Sequence, residues 1–318
     1  MFINIEGKEQ RGGFIMKKRK LGHSDLFVTE LGLGCMSIGT EEKTARSIIE
    51  AALEEGINYF DTADLYNFGE NEKIVGQSLK AVRENVILAT KVGNRWKPDQ
   101  SGWTWDASKA YIKEEVKNSL KRLGTDYIDL YQLHGGTIED PIEETIEAFE
   151  ELKAEGFIRY YGISSIRPNV IREYINKSSM VSVMMQYSIL DRRPEEEALP
   201  LLHEHGISVV TRGPLAKGLL TDKLLSKASE KGYLGYSYKE LNEILPRLKE
   251  KLAHDRSFTE VALQYNLANP AVASVIAGAS SPEQIKHNAA AVRSNSLTDE
   301  EVLVIKDLTK PSIYKEHR

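Results

Sequence analysis

The stretch NYFDTADLYNFGENE, residues 58–72, ends an aromatic and apolar run on a carboxylate, Asp61, and then presents a phenol, Tyr66, from what reads as a loop. Two further polar residues end apolar runs in the same way: Lys91 closes VILATK and His134 closes YIDLYQLH. Taken singly, each has an ordinary explanation: a strand stop, a surface lysine, a buried histidine, a surface aromatic. Together their chemistry is complementary. A phenol ionises near pH 10, and an ammonium beside it favours the phenolate. At about 4 Å and an effective dielectric near 20 that attraction is on the order of 4 kcal/mol. Asp61 would keep Lys91 charged and oriented, and a neutral His134 would hydrogen-bond a substrate oxygen and align it with Tyr66. The set suits proton donation to a carbonyl oxygen that is becoming an alkoxide. No side chain supplies hydride, so that chemistry calls for a cofactor.

These four residues converge only if the fold brings strand ends together. Short β-branched or aromatic runs alternate with longer helical patterns from residue 31 to about residue 290. Eight strands are predicted, at 31–35, 58–61, 86–91, 127–134, 160–164, 182–186, 208–212 and 272–277. Gly56, Gly124, Gly156 and Gly206 each stand where a helix must stop before the next strand. Alternation with short crossovers implies parallel strands, and eight such units predict an α/β fold, the closed (β/α)8 TIM barrel. The competing open doubly wound sheet usually carries a glycine fingerprint after its first strand. LGLGCMSIG has glycines but no G-x-G-x-x-G opening a helix. KKRKLGHSDLFVTELG reads as an N-terminal β-hairpin that plugs the opposite end of the barrel, and PEQIKHNAAAVR and TDEEVLVIKDL as extra C-terminal helices. Residues 1–16 are expected to be a disordered extension, leaving 17–318 as a single barrel domain.

In a barrel the loops that follow strands surround the active site. Two long ones do so here, NRWKPDQSGWTW (94–105) and the segment 213–240. Trp96, Trp103 and Trp105 in the first are expected to wall an aromatic or apolar substrate pocket. The tail KPSIYKEHR either covers the same pocket or is disordered. The 318 residues are 41% hydrophobic and 28% charged, with net charge -5, which argues for a large core and against nucleic-acid or anionic-membrane partners. No apolar run approaches the roughly 20 residues of a membrane span. The single cysteine, Cys35, lies in an apolar run and excludes an intramolecular disulfide, in keeping with a reducing, cytoplasmic setting. His203 and His205 are too closely spaced to share a helix face, so no metal is expected.

The motifs GINYFDTADLYNFGENEKIVGQSLK, ILATKVG, LKRLGTDYIDLYQLHG, AFEELKAEGFIRYYGISS, PLAKGLLT and VIAGASSPEQIKHNAAA occur in an order that resembles the aldo-keto reductase superfamily, over residues 17–310. The resemblance implies a barrel that binds a nicotinamide dinucleotide without a Rossmann motif and reduces small-molecule carbonyls without a metal. It implies a catalytic tetrad of Asp61, Tyr66, Lys91 and His134, with Tyr66 as general acid. Ser164 and Ser165 fall where the family usually has Ser-Asn on the nicotinamide amide, and Gln186 where it has the amide's other partner. Arg212 replaces a common stacking aromatic; a planar guanidinium can also stack or can reach the pyrophosphate. Gly213, Leu215 and Lys217 match the pyrophosphate loop. Gly278, Ser280, Gln284 and Asn288 match the segment that grips the adenosine end. Neither Ser280 nor Gln284 is the arginine that many relatives set against a 2′-phosphate. Serines at a helix N-terminus still bind phosphate, so NADP(H) is the preferred cofactor, with NAD(H) the alternative. Some relatives are regulatory subunits that keep the tetrad, which makes a nicotinamide-binding interaction subunit the competing function. A monomer or weak homo-oligomer is expected.

Overall fold

The computed structural model describes residues 16–227 and 229–318. The expected disordered extension lies outside the described residues, apart from Met16, which is buried.

The chain opens with β1 (Lys18–Lys20) and β2 (Phe27–Thr29), an antiparallel hairpin. Leu21, Leu26 and Val28 of this hairpin pack against Tyr59, Ile87, Leu130, Val210 and Ile276 from inside the barrel. The hairpin therefore closes one end, as expected, and each such buried aliphatic contributes about 1.5–3 kcal/mol. Arg19 fixes it further, donating to the carbonyls of Val272 and Leu267 and to the Glu30 carboxylate.

The eight barrel strands are β3 (Leu31–Gly34), β4 (Tyr59–Asp61), β5 (Ile87–Val92), β8 (Ile128–Leu133), β9 (Ile158–Ser164), β10 (Ser182–Gln186), β11 (Ser208–Arg212) and β12 (Val272–Gly278). All pair in parallel, in the closed order β3-β4-β5-β8-β9-β10-β11-β12 and back to β3. This is the predicted (β/α)8 TIM barrel. The helices α1 (Glu42–Glu54), α2 (Glu70–Leu79), α3 (Lys109–Leu123), α4 (Ile142–Ala154), α5 (Pro168–Lys177), α6 (Ala198–Glu204), α8 (Phe258–Leu267) and α9 (Pro282–Arg293) surround it, each turning an apolar stripe inward. In α1 that stripe is Ala45, Ile48, Ile49 and Ala52. Close packing sets one helical glycine: a Cβ on Gly76 of α2 would lie 2.0 Å from the Leu123 carbonyl oxygen of α3. The final helix, α10 (Asp299–Leu308), starts from a Thr298–Glu301 capping box.

Two elements differ from the sequence reading. Residues 94–105 are not an open loop: β6 (Asn94–Trp96) and β7 (Trp103–Trp105) pair antiparallel, with Trp96 opposite Trp103. Residues 238–252 form a helix, α7 (Tyr238–Leu252), that the sequence reading left unassigned. Pro246 inside it removes a backbone donor and hides the pattern. Leu241, Leu245, Leu248 and Leu252 still bury one face, and Ser237 with Glu240 forms a capping box at its start.

The C-terminal tail is ordered against loops that follow strands. Lys310 donates its N–H to the Tyr236 hydroxyl at 2.8 Å, Tyr314 is buried beneath Arg193, and Asn169 donates to the His317 carbonyl at 3.0 Å. Among the described residues no helix is long and apolar enough to cross a membrane.

Candidate active site

Asp61 is the last residue of β4, Lys91 lies near the end of β5, and His134 follows directly on β8. These strands are neighbours, so their C-terminal ends meet at one side of the mouth. The Lys91 ammonium donates to Asp61 Oδ1 at 2.5 Å and to the Thr62 carbonyl at 2.6 Å. Gln132 Nε2 donates to the other Asp61 oxygen at 3.2 Å. Lys91 and Asp61 are both buried. Burial works against both charges and raises the Asp61 carboxyl, but at Lys91 it is outweighed by Asp61, with Tyr66 adding to it, so the ammonium is held above its ordinary value.

Tyr66 reaches over this pair from the loop after β4. Lys91 Nζ is 5.2 Å from the centre of its ring. The Tyr66 and His134 rings meet edge to face, 5.9 Å apart at 85°. Burial, then the charges of Lys91 and Arg212, push His134 down to about 3, so its imidazole is neutral across physiological pH. His134 Nδ1 is buried without a hydrogen-bond partner among the described residues.

The backbone just beyond Tyr66 is strained. Asn67 and Phe68 have φ of 50° and 56°, followed by Gly69 at 82°. Left-handed backbone costs a non-glycine residue on the order of 1–3 kcal/mol. The Phe68 ring, 46% exposed, packs on the Trp96 ring with 4.0 Å between their centres. Trp96 Nε1 also lies 3.5 Å from the Asp64 carbonyl, and the Asp64 N–H donates to the Lys91 carbonyl at 3.3 Å. The Asp64 carboxyl is buried, and neither oxygen has a hydrogen-bond partner among the described residues. Burial, with Glu72 and Glu115 adding to it against Arg122, raises this carboxyl well above its usual range. Nearby Glu72, also buried, accepts from Thr90 Oγ1 and from Arg122, both at 2.6 Å.

The three tryptophans share one face of the β6–β7 hairpin, since Trp96 pairs with Trp103 and Asn94 with Trp105. Trp96 turns to the Tyr66 loop. Trp105 lies over Gly93 and Gly135, where a Cβ would come within 2.7 Å and 3.1 Å of its ring, and donates to Asp140 at 2.9 Å. Trp103 is 49% exposed.

The residues expected to hold a dinucleotide continue around the barrel. Ser164, Gln186 and Arg212 end β9, β10 and β11, three successive strands, and Gly278 ends β12. Ser165 is buried, with its N–H bound to the Met184 carbonyl at 3.0 Å. Arg212 donates to Gln186 Oε1 at 3.0 Å, and Gln186 Nε2 to the Tyr233 hydroxyl at 3.2 Å. Gly213 turns the chain with φ of 66° into the Leu215–Lys217 segment, where Lys217 is exposed. Ser281 caps α9, and the Ser280 N–H donates to Gln284 Oε1 at 2.9 Å. A Cβ on Gly278 would lie 2.6 Å from Ser37 Oγ, so a side chain at this strand end would have to displace that hydroxyl. Asn288 is buried while Gln284 is exposed and turned back to Ser280, so the two do not present a common amide face.

Amide partners, guanidinium, ammonium and a helix N-terminus thus occur in sequence along one arc, beside the Asp61–Lys91–His134 arc. That donor set fits a carboxamide, a pyrophosphate and an adenosine end in that order. Gln132 was missed by the sequence reading. Its signal was there: it lies two residues before His134 on β8, hence on the same side of the strand.

The aldo/keto reductase family model matches residues 30–310. Uncharacterized oxidoreductase YqkF of Bacillus subtilis is 63% identical over 307 residues, covering 95% of this chain and 100% of that one. NADH-specific methylglyoxal reductase of Escherichia coli is 34% identical, covering 93% of this chain and 99% of that one. The holo structure of aldo-keto reductase AKR11C1 from Bacillus halodurans superposes with a TM-score of 0.91 at 62% identity, covering 95% of this chain and 99% of that one.

Proposed function

The chain belongs to the aldo/keto reductase family and is an NAD(P)H-dependent oxidoreductase, and from that premise we propose that it reduces aldehydes and ketones to alcohols with Tyr66 as general acid and NADPH as the preferred reductant. The observation that carries this reading is the disposition of Tyr66, between a protonated Lys91 and a neutral His134 and over the barrel mouth.

The nicotinamide, when bound, supplies the hydride. The protein's work is to place the carbonyl and manage one proton. His134, neutral, hydrogen-bonds the carbonyl oxygen and holds it toward the Tyr66 hydroxyl. Tyr66 gives that oxygen its proton as negative charge develops there. Lys91 stabilises the phenolate left behind, and Asp61 with Gln132 keeps the ammonium charged and aimed. Tyr66 is only half-buried, which lets solvent return the proton.

Ser164, Ser165 and Gln186 are proposed to bind the carboxamide, and Arg212 to stack on the ring or reach the pyrophosphate. Gly213, Leu215 and Lys217 would contact the pyrophosphate, and Gly278, Ser280, Gln284 and Asn288 the adenosine end. Gln284 has to turn from Ser280 to do so. The preference for NADPH rests on Ser280 and the α9 N-terminus, where hydroxyl and backbone donors suit a 2′-phosphate. Trp96, Trp103 and Trp105 would wall the substrate side. The test is a titration of NADPH and NADH by protein fluorescence, followed by turnover on aldehydes, ketones and quinones. Tighter NADPH binding with turnover supports the reading; binding without turnover on any carbonyl contradicts it.

A further inference from the structure

We propose that Trp96 is a positioning residue for the proton donor, clamping the left-handed turn that presents Tyr66, beyond any part it has in lining the substrate side. This rests on the reading of Tyr66 as general acid. Three observations meet at this indole. First, Phe68, two residues after Tyr66, occupies backbone that L side chains rarely adopt, and Asn67 before it does the same. Nothing about a phenylalanine favours φ of 56°; a tertiary contact must hold it. Second, the Phe68 ring packs on the Trp96 ring, 4.0 Å away and tilted by 33°. Third, the same indole approaches the Asp64 carbonyl at 3.5 Å, while the Asp64 N–H is tied to the Lys91 carbonyl. Trp96 thus touches the Tyr66 loop on both sides of Tyr66, and the loop is tied to the strand that carries Lys91.

The hairpin that carries Trp96 is itself fixed to the other side of the site. Asn94 Nδ2 donates to the His134 carbonyl at 3.4 Å, and Trp105 covers Gly93 and Gly135 on either flank of the β5 and β8 ends. The hairpin therefore bridges the Tyr66 loop and the His134 strand end. It sets the spacing between the proton donor and the histidine that aligns the substrate oxygen. Displacement of a reacting group by about 1 Å costs on the order of 100-fold in rate, so loosening this bridge should lower kcat.

The test combines kinetics with hydrogen exchange in the full-length protein. Trp96→Ala should lower kcat by about 10- to 100-fold, by a similar factor for a short aliphatic aldehyde and for a bulky aromatic one, with NADPH affinity unchanged. Trp96→Phe, which keeps a ring to stack, should recover most of the loss. In a Phe68→Gly background the turn is free to adopt its conformation without a clamp, so adding Trp96→Ala should cost little more. Exchange measured without cofactor should rise in Trp96→Ala for the peptide spanning residues 62–70 and not for the barrel strands. Unchanged exchange in that peptide overturns the proposal whatever the kinetics. So does a loss confined to KM for the bulky substrate, which is the behaviour of a pocket wall alone. If the wild type turns over no carbonyl, the reductase reading fails, and the exchange result alone decides whether Trp96 clamps the Tyr66 turn.

Discussion

Lys91 donates to Asp61 at 2.5 Å, and the two buried charges form the floor of the site beneath Tyr66. Removing one partner of such a pair strands the other. Lys91→Met should therefore destabilise the fold by about 3–5 kcal/mol, read as a lowered urea midpoint with unchanged slope. It should also cut kcat by roughly 100-fold or more while NADPH still binds. An unaltered midpoint would mean that Asp61 sheds its charge at no cost, and would weaken the account of why Lys91 stays protonated.

His134, pushed down to about 3, has a sign that can be checked. Below its ordinary value of 6.5 the unfolded chain takes up a proton that the folded protein refuses. The His134 contribution is thus fully present above about pH 6.5 and is lost as pH falls toward about 3. Wild type minus His134→Gln stability should rise with pH across that window and level off above it. The kcat profile should show no limb near pH 6.5 that His134→Gln removes.

Asp64 has the opposite sign. Its folded value lies well above its ordinary 3.8, so the folded protein keeps a proton that the unfolded chain releases. Stability from this group is fully present below about pH 3.8 and falls as pH rises, by at most about 1.4 kcal/mol per pH unit. Asp64→Asn, which keeps the shape without the charge, should gain on the wild type as pH rises from 4 to 8. A variant that loses ground over that range would mean that Asp64 has an ionic partner when folded.

These predictions depend on residues the sequence disclosed unevenly. The barrel strands were legible because fully buried parallel strands leave apolar runs, such as VILATK and YIDLYQLH, that end on polar residues at the mouth. The convergence of Asp61, Lys91, Tyr66 and His134 followed from that. The β6–β7 hairpin was not legible, because its strands are short and its turn, with Pro98 and Gly102, reads as an open loop. Helix α7 was masked by Pro246. Gln284 matches the segment expected at the adenosine end, yet a local bond to Ser280 competes for its amide, and the motif carries no sign of that.

For the cofactor arc, Lys217→Ala and Ser280→Ala should separate. Lys217, in the proposed pyrophosphate loop, should weaken NADPH and NADH alike, by about tenfold for a lost charged contact. Ser280→Ala should weaken NADPH more than NADH. Equal losses for Ser280→Ala would remove the basis for an NADPH preference.

With Tyr66 as the proton donor, Tyr66→Phe removes the donated proton and leaves the ring in place. NADPH oxidation would be followed with the same aldehydes and quinones for the wild type and the variant, alongside a fluorescence titration of NADPH. Turnover should collapse in the variant while NADPH binds within about threefold of wild type, since the ring remains and only the hydroxyl is lost. A variant that keeps its turnover would contradict the account and move the proton donor elsewhere in the site.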